Sequence, residues 1–126
     1  MIVLAVLVTS GLGAVARYGL AGIVQRRSGS TRPWGTAAVN ISGALLLGVA
    51  TGLHAAGRID GDVLVVIGIG FLGGFTTFST WMVESVLLGE EGLDAGLVAV
   101  AANLVVMLVA GIVGAAAGMA IGTQVG

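Results

Sequence analysis

Long apolar stretches alternate with short polar ones along the whole chain. Residues 1–16 carry no charge, Arg17 interrupts, and apolar character resumes to Val24. No side chain is formally charged in residues 33–57, in 63–83, or from 95 to 126. An α-helix needs about 20 apolar residues to cross the hydrocarbon of a bilayer. Four spans therefore fit, near 2–24, 34–54, 62–88 and 95–121. The runs are continuously apolar and do not alternate, which argues against barrel strands. The first run lacks the positively charged start of a secretory signal peptide and reads as a span. The polar connections at 25–32, 57–62 and 89–94 are too short for a separate domain. Residues 1–126 thus form a single four-helix transmembrane domain.

Composition strengthens this reading. Of 126 residues, 57% are hydrophobic and only 9% charged, with a mean hydropathy of +1.13. Soluble domains carry about 25% charged residues, so a soluble enzyme and a disordered chain are both excluded. Five Arg and no Lys oppose six acids, for a net charge of −1. No basic surface for nucleic acid results. There is no Cys and one His, His54, so neither a thiolate zinc site nor a multi-His metal site can form. An even number of spans puts both termini on one side. The first and third connections share the other side and hold Arg26, Arg27 and Arg32, against Arg58 on the terminal side. By the positive-inside rule the termini lie outside, on a weak bias that suits a protein inserting both ways up.

Small residues supply the means of association. Gly114, Gly118 and Gly122 repeat at four-residue spacing, as do Gly48 and Gly52, and such faces let helix backbones approach closely in lipid. Four thin helices do not enclose a pore alone, so an oligomer is expected.

Polar groups at membrane depth point to function. Arg17 lies about two-thirds along the first span, where it either snorkels or charges a vestibule. Asn40 sits deep in the second span, where its amide either ties helices together or lines a pathway. Glu84 stands near the end of the third. The strongest signal is the run Gly70-Phe71-Leu72-Gly73-Gly74-Phe75-Thr76-Thr77-Phe78-Ser79-Thr80-Trp81. A Gly-Gly pair followed by Thr-Thr is poor helix material, and a helix break in a membrane must be buried or line a cavity. Carbonyls freed there suit a hard cation. Phe75, Phe78 and Trp81 recur every three residues, which predicts one slanted aromatic face beside the hydroxyls of Ser79 and Thr80. Ring edges are positive and, with hydroxyl and amide donors, can replace an anion's water shell. No nucleophile–base pair or carboxylate pair accompanies them. Passage of a small anion is the chemistry on offer.

Three runs carry a resemblance to a known family: Ser10-Gly11-Leu12-Gly13-Ala14-Val15-Ala16-Arg17-Tyr18, Trp34-Gly35-Thr36-Ala37-Ala38-Val39-Asn40-Ile41-Ser42-Gly43, and the block from Gly73 to Trp81. In order and spacing they resemble the three signatures of the Fluc fluoride channels, also called CrcB proteins. The resemblance implies an all-α membrane protein of four transmembrane helices with a broken third helix, paired as an antiparallel, dual-topology dimer. It implies passive export of fluoride across the cell membrane through two narrow pores. It places Asn40, Phe78, Trp81, Thr77, Ser79 and Thr80 on the fluoride pathway, with Arg17 and Glu84 at related positions. It also implies a structural Na⁺ at the dimer centre, held by the backbone carbonyls of Gly73 and Thr76. The second subunit is either a copy of this chain or a homologous one. Two departures stand out. Trp81 replaces the usual second Phe, and Asn103 and Met107 replace a Tyr and a Ser of the fourth span, so Met107 donates no hydrogen bond.

Two other readings compete. A proton-coupled multidrug exporter of four spans needs a carboxylate at membrane depth, for which Glu84 is the only candidate. A non-transporting membrane assembly protein would need the glycine faces alone and leaves Asn40 and the Thr-Thr-Phe-Ser-Thr run without purpose.

Overall fold

Backbone N–H and C=O groups have no water to bond inside a bilayer, so continuous apolar runs close their hydrogen bonds within helices. The computed structural model describes residues 1–90 and 93–125, with side chains for 1–90 and 96–125, and these are helical apart from short connections. Four helical stretches are long and apolar enough to span a membrane: Ile2–Ser28, Trp34–Ala55, Gly61–Gly89 and Gly96–Gln124. The architecture is that of an all-α, multi-pass membrane protein. Glu91 and Gly92 of the expected third connection lie outside the described residues.

Helix α1 (Ile2–Ser28) runs through Arg17 and past residue 24. It stops where Gly29 takes a left-handed conformation, φ 59°, and Arg26 and Arg27 in its last turn complement the carbonyl end. Gln25 then fixes the connection. Its Nε2 donates to the carbonyls of Ser30 and Arg32 at 2.7 and 2.9 Å, and its Oε1 accepts from the Gly35 N–H at 3.1 Å.

Helix α2 (Trp34–Ala55) packs most extensively on the last helix. The fit depends on glycine. A Cβ on Gly48 or Gly52 would strike the carbonyls of Ala115 and Met119, and one on Gly118 or Gly122 would strike those of Leu45 and Val49. The two helices therefore lie backbone against backbone in both directions.

The third stretch is built in pieces. Helix α3 (Gly61–Val65) starts at Asp60, whose carboxylate accepts from the Val63 N–H at 2.8 Å. A wider π-helical segment, Val66–Leu72, follows. Thr9 Oγ1 of α1 stands 3.2 Å from the Val66 carbonyl at its start. Helix α4 (Gly73–Phe75) continues it, Thr76 to Phe78 are non-helical, and α5 (Ser79–Gly89) resumes. Helix α6 (Leu93–Gln124) closes the chain against α2 and α5, while α1 packs on α2, the π segment and α4.

The buried core is small: Val39, Leu72 and Phe75, flanked by Ala16, Leu20, Ala21 and Phe71. Phe71 and Phe75 stack with ring centroids 5.8 Å apart. Phe75 therefore does not share a face with Phe78 and Trp81, contrary to the expectation from their three-residue spacing. That spacing presumes an unbroken helix, and the extended Thr76 (φ −81°, ψ 159°) turns the two halves apart. Most remaining large apolar side chains, from Leu4 and Leu7 to Val109 and Ile112, face outward, as lipid requires.

Candidate functional site

The interruption at Thr76–Phe78 is held by a side chain from another helix. Asn40 Oδ1 accepts from the Thr77 N–H at 2.9 Å, and its Nδ2 donates to the Thr77 carbonyl at 2.9 Å. One amide side chain thus satisfies both backbone groups of one residue, as a neighbouring peptide would. Thr77 Oγ1 in turn accepts from the Thr80 N–H at 3.3 Å and donates to Thr80 Oγ1 at 3.0 Å, which ties the interruption to the first turn of α5. Thr76 anchors the other side: its N–H and its hydroxyl both donate to the Leu72 carbonyl, each at 2.9 Å.

Two carbonyls lose their helical N–H donors by these diversions. In a continuous helix Gly73 would receive the Thr77 N–H and Thr76 that of Thr80. Here the first goes to Asn40 and the second to Thr77 Oγ1. Arg17 Nη1 approaches the Thr76 carbonyl at 3.4 Å. Arg17 therefore turns inward to the interruption, where the sequence alone left snorkelling open.

A cavity lies on each side of Thr77. One, of about 600 Å³, is lined by Arg17, Tyr18, Arg26, Thr36, Thr80 and Glu84 among others. The second, of about 500 Å³, is lined by Asn40, Gly73, Thr76, Phe78, Trp81 and Met107 among others. Thr77 borders both. The structure thus gathers Asn40, the aromatic pair, Gly73 and Thr76 on one side, and Arg17, Thr80 and Glu84 on the other. Ser79 borders neither and reaches only Thr77 Oγ1, at 3.4 Å.

Phe78 and Trp81 meet edge to face, with centroids 5.7 Å apart and planes at 85°, the arrangement that pairs a positive ring edge with a negative face. Phe78 is 67% exposed in the single chain. Trp81 Nε1 is enclosed without a hydrogen-bond acceptor, and so is Glu84 Oε2 without a donor. Glu84 Oε1 accepts from Thr36 Oγ1 at 2.8 Å. The carboxylate is therefore folded against α2 and does not sit free at the rim of its span.

Three contributors carried little signal in the sequence. Thr36 lies one helical turn before Asn40, so the i, i+4 spacing places both on one face of α2. That spacing was the only available sign of its role. Ser85 is buried and donates to the Trp81 carbonyl at 2.8 Å, while Asn103 Nδ2 donates to Ser85 Oγ at 2.8 Å. Asn103 thereby braces the helix that bears Trp81. Met107 is 9% exposed and presents an apolar wall to the second cavity.

Comparison with known proteins supplies an independent line. The model of the family described as CrcB-like protein, Camphor Resistance (CrcB), matches residues 4–119. A protein of Mycobacterium bovis named fluoride-specific ion channel FluC 2 is 42% identical over 113 residues, covering 90% of this chain and 84% of its own. The fluoride-specific ion channel FluC of Geobacter sulfurreducens is 46% identical over 93 residues, 71% of this chain and 73% of that one. The fluoride-specific ion channel FluC 1 of Leifsonia xyli is 41% identical over 91 residues, 72% of this chain and 66% of that one. The match thus spans nearly all of the chain, interruption and cavities included.

Proposed function

The chain belongs to the CrcB family, and from that premise we propose that it is a fluoride-selective channel of the cell membrane, passing fluoride out of the cytoplasm down its electrochemical gradient. The observation that carries this reading is the interruption clasped by Asn40 beside the Phe78–Trp81 edge pair. Fluoride is small and tightly hydrated. Only a narrow path with convergent donors offsets the cost of stripping its water. Asn40 Nδ2 keeps one N–H after bonding Thr77, and Thr80, whose Oγ1 accepts the Thr77 hydroxyl, offers its own O–H on the far side of the interruption. Ring edges of Phe78 and Trp81 contribute positive potential without a fixed charge that would trap the anion. Arg17 and Arg26 give the first cavity a positive wall that concentrates anions at its mouth.

The second cavity is open along one flank of the single chain, and a second subunit inserted antiparallel, either this chain or a homologue, closes it in this reading. The carbonyls of Gly73 and Thr76 from two subunits then form a four-oxygen cradle. The donor set fits Na⁺: the oxygens are hard, Gly73 and Thr76 border the second cavity, and the helical N–H donors of their carbonyls are engaged elsewhere. Each carbonyl has two lone pairs, so the approach of Arg17 to Thr76 leaves one free. Bound there, the cation supplies a fixed positive charge between two anion paths, where low dielectric extends its reach.

An exporter driven by protons is the weaker alternative, because its required carboxylate would be Glu84, and Thr36 already holds one oxygen of it. Purified protein in liposomes separates the two readings. Efflux followed with a fluoride electrode is expected to be rapid, to exclude chloride and to ignore a proton gradient. Equal chloride passage or strict proton dependence would overturn the channel reading.

A further inference from the structure

We infer that Asn40 is a positioning residue for the cation cradle: by taking the Thr77 N–H it keeps the Gly73 carbonyl open to a cation. This rests on the Na⁺ site proposed above and adds a cause for it. No hydrogen bond joins Asn40 to either cradle residue; it acts through Thr77. Its two bonds to Thr77 replace the two that a continuous helix would have made there, one back to Gly73 and one forward to Trp81. Thr77 Oγ1 does the same for Thr76 by capturing the Thr80 N–H. The two carbonyls assigned to the cradle thus each lose their helical N–H donor to a named side-chain acceptor, and both acceptors meet at Thr77.

Chemistry makes the two halves of the Asn40 amide separable. Its oxygen holds the N–H that would otherwise close on Gly73. Its nitrogen serves the Thr77 carbonyl and leaves one further N–H for an anion. Alanine removes both halves, so the Thr77 N–H returns to the Gly73 carbonyl as the helix heals. Aspartate keeps an acceptor for that N–H but loses the amide donor. It therefore preserves the cradle while removing the donor that fluoride needs. A residue with a merely structural role would not divide cation from anion in this way.

The experiment measures Na⁺-dependent thermal stabilisation of purified full-length protein in detergent, with N-methylglucamine as the replacement ion, beside fluoride efflux from liposomes. Stabilisation that saturates with Na⁺ gives an apparent affinity without reference to flux. Wild type is expected to be stabilised by Na⁺. N40A is expected to lose Na⁺ affinity by about tenfold or more, the scale of a hydrogen bond lost at a buried group. N40D is expected to hold Na⁺ near the wild-type level while fluoride efflux stops. T77V should weaken Na⁺ as N40A does, and T77S should restore it; this pair carries the test if N40A does not fold. Wild-type Na⁺ affinity in folded N40A, or in T77V, would overturn the inference, as would equal loss in N40D and N40A. Absence of Na⁺ stabilisation in the wild type would overturn the cradle and this inference together, whereas fluoride efflux in the same preparation would leave the channel reading standing.

Discussion

Phe78 and Trp81 meet edge to plane at the second cavity, and Phe78 is exposed in the single chain. Isoleucine at 78 keeps the bulk and removes the positive edge. Aromatic pairs are worth about 0.5–1.5 kcal/mol beyond the area they bury; if the edge's effect on the anion is of that size, F78I is expected to slow fluoride efflux by about 2- to 13-fold with the protein still folded. Liposome efflux and a size-exclusion profile check this together. Met107 stands across the same cavity and offers no donor. M107S places a hydroxyl there and is expected to keep or raise the efflux rate. Several residues announced themselves in the sequence because polar groups are conspicuous in an apolar run; Asn40, Arg17 and Thr77 are of this kind. What the sequence withheld was direction. Nothing in the spacing told that Arg17 reaches Thr76, that Thr36 holds Glu84, or that Asn103 braces Trp81 through Ser85. Each bond joins residues from different spans, and their meeting depends on packing that no local pattern encodes.

At the scale of elements, charge spacing delimits the four spans well because each apolar run is long and each connection polar. The internal form of the third span was only half legible. Gly73, Gly74, Thr76 and Thr77 mark the interruption, but the π segment Val66–Leu72 before it carries no comparable mark. The misplacement of Phe75 has the same origin, since helical spacing was carried across three non-helical residues. The spaced glycines were legible as packing faces but not which helices they join; the structure pairs those of α2 and α6 reciprocally against carbonyls. Overfilling such a contact costs about 1–3 kcal/mol or more. G118L is therefore expected to lower the thermal midpoint in detergent clearly. A bulky substitution at Gly111, where a Cβ would meet nothing within 4 Å of the single chain, should leave that chain folded, and a loss of efflux in it would support the proposed second subunit over the cavity.

Across the whole molecule, orientation depends on few charges. Arg26 and Arg27 end α1 and provide the surplus over Arg58. R26Q with R27Q leaves one Arg on each side, so the two insertion senses are expected to become equally populated, as read by labelling of cysteines introduced at the termini in intact cells. The backbone-to-backbone seam of α2 and α6 has a consequence for how the sequence can drift. In a water-soluble protein the largest side chains are the least replaceable. Here the least replaceable positions are those with no side chain, and every single-base change at a glycine codon that alters the residue adds atoms. The outward Leu, Val and Ile of α1 and α6 that line neither cavity can exchange among themselves. A deep mutational scan of this protein should therefore draw its map of intolerance along Gly48, Gly52, Gly118 and Gly122, a line of absences through a freely varying surround.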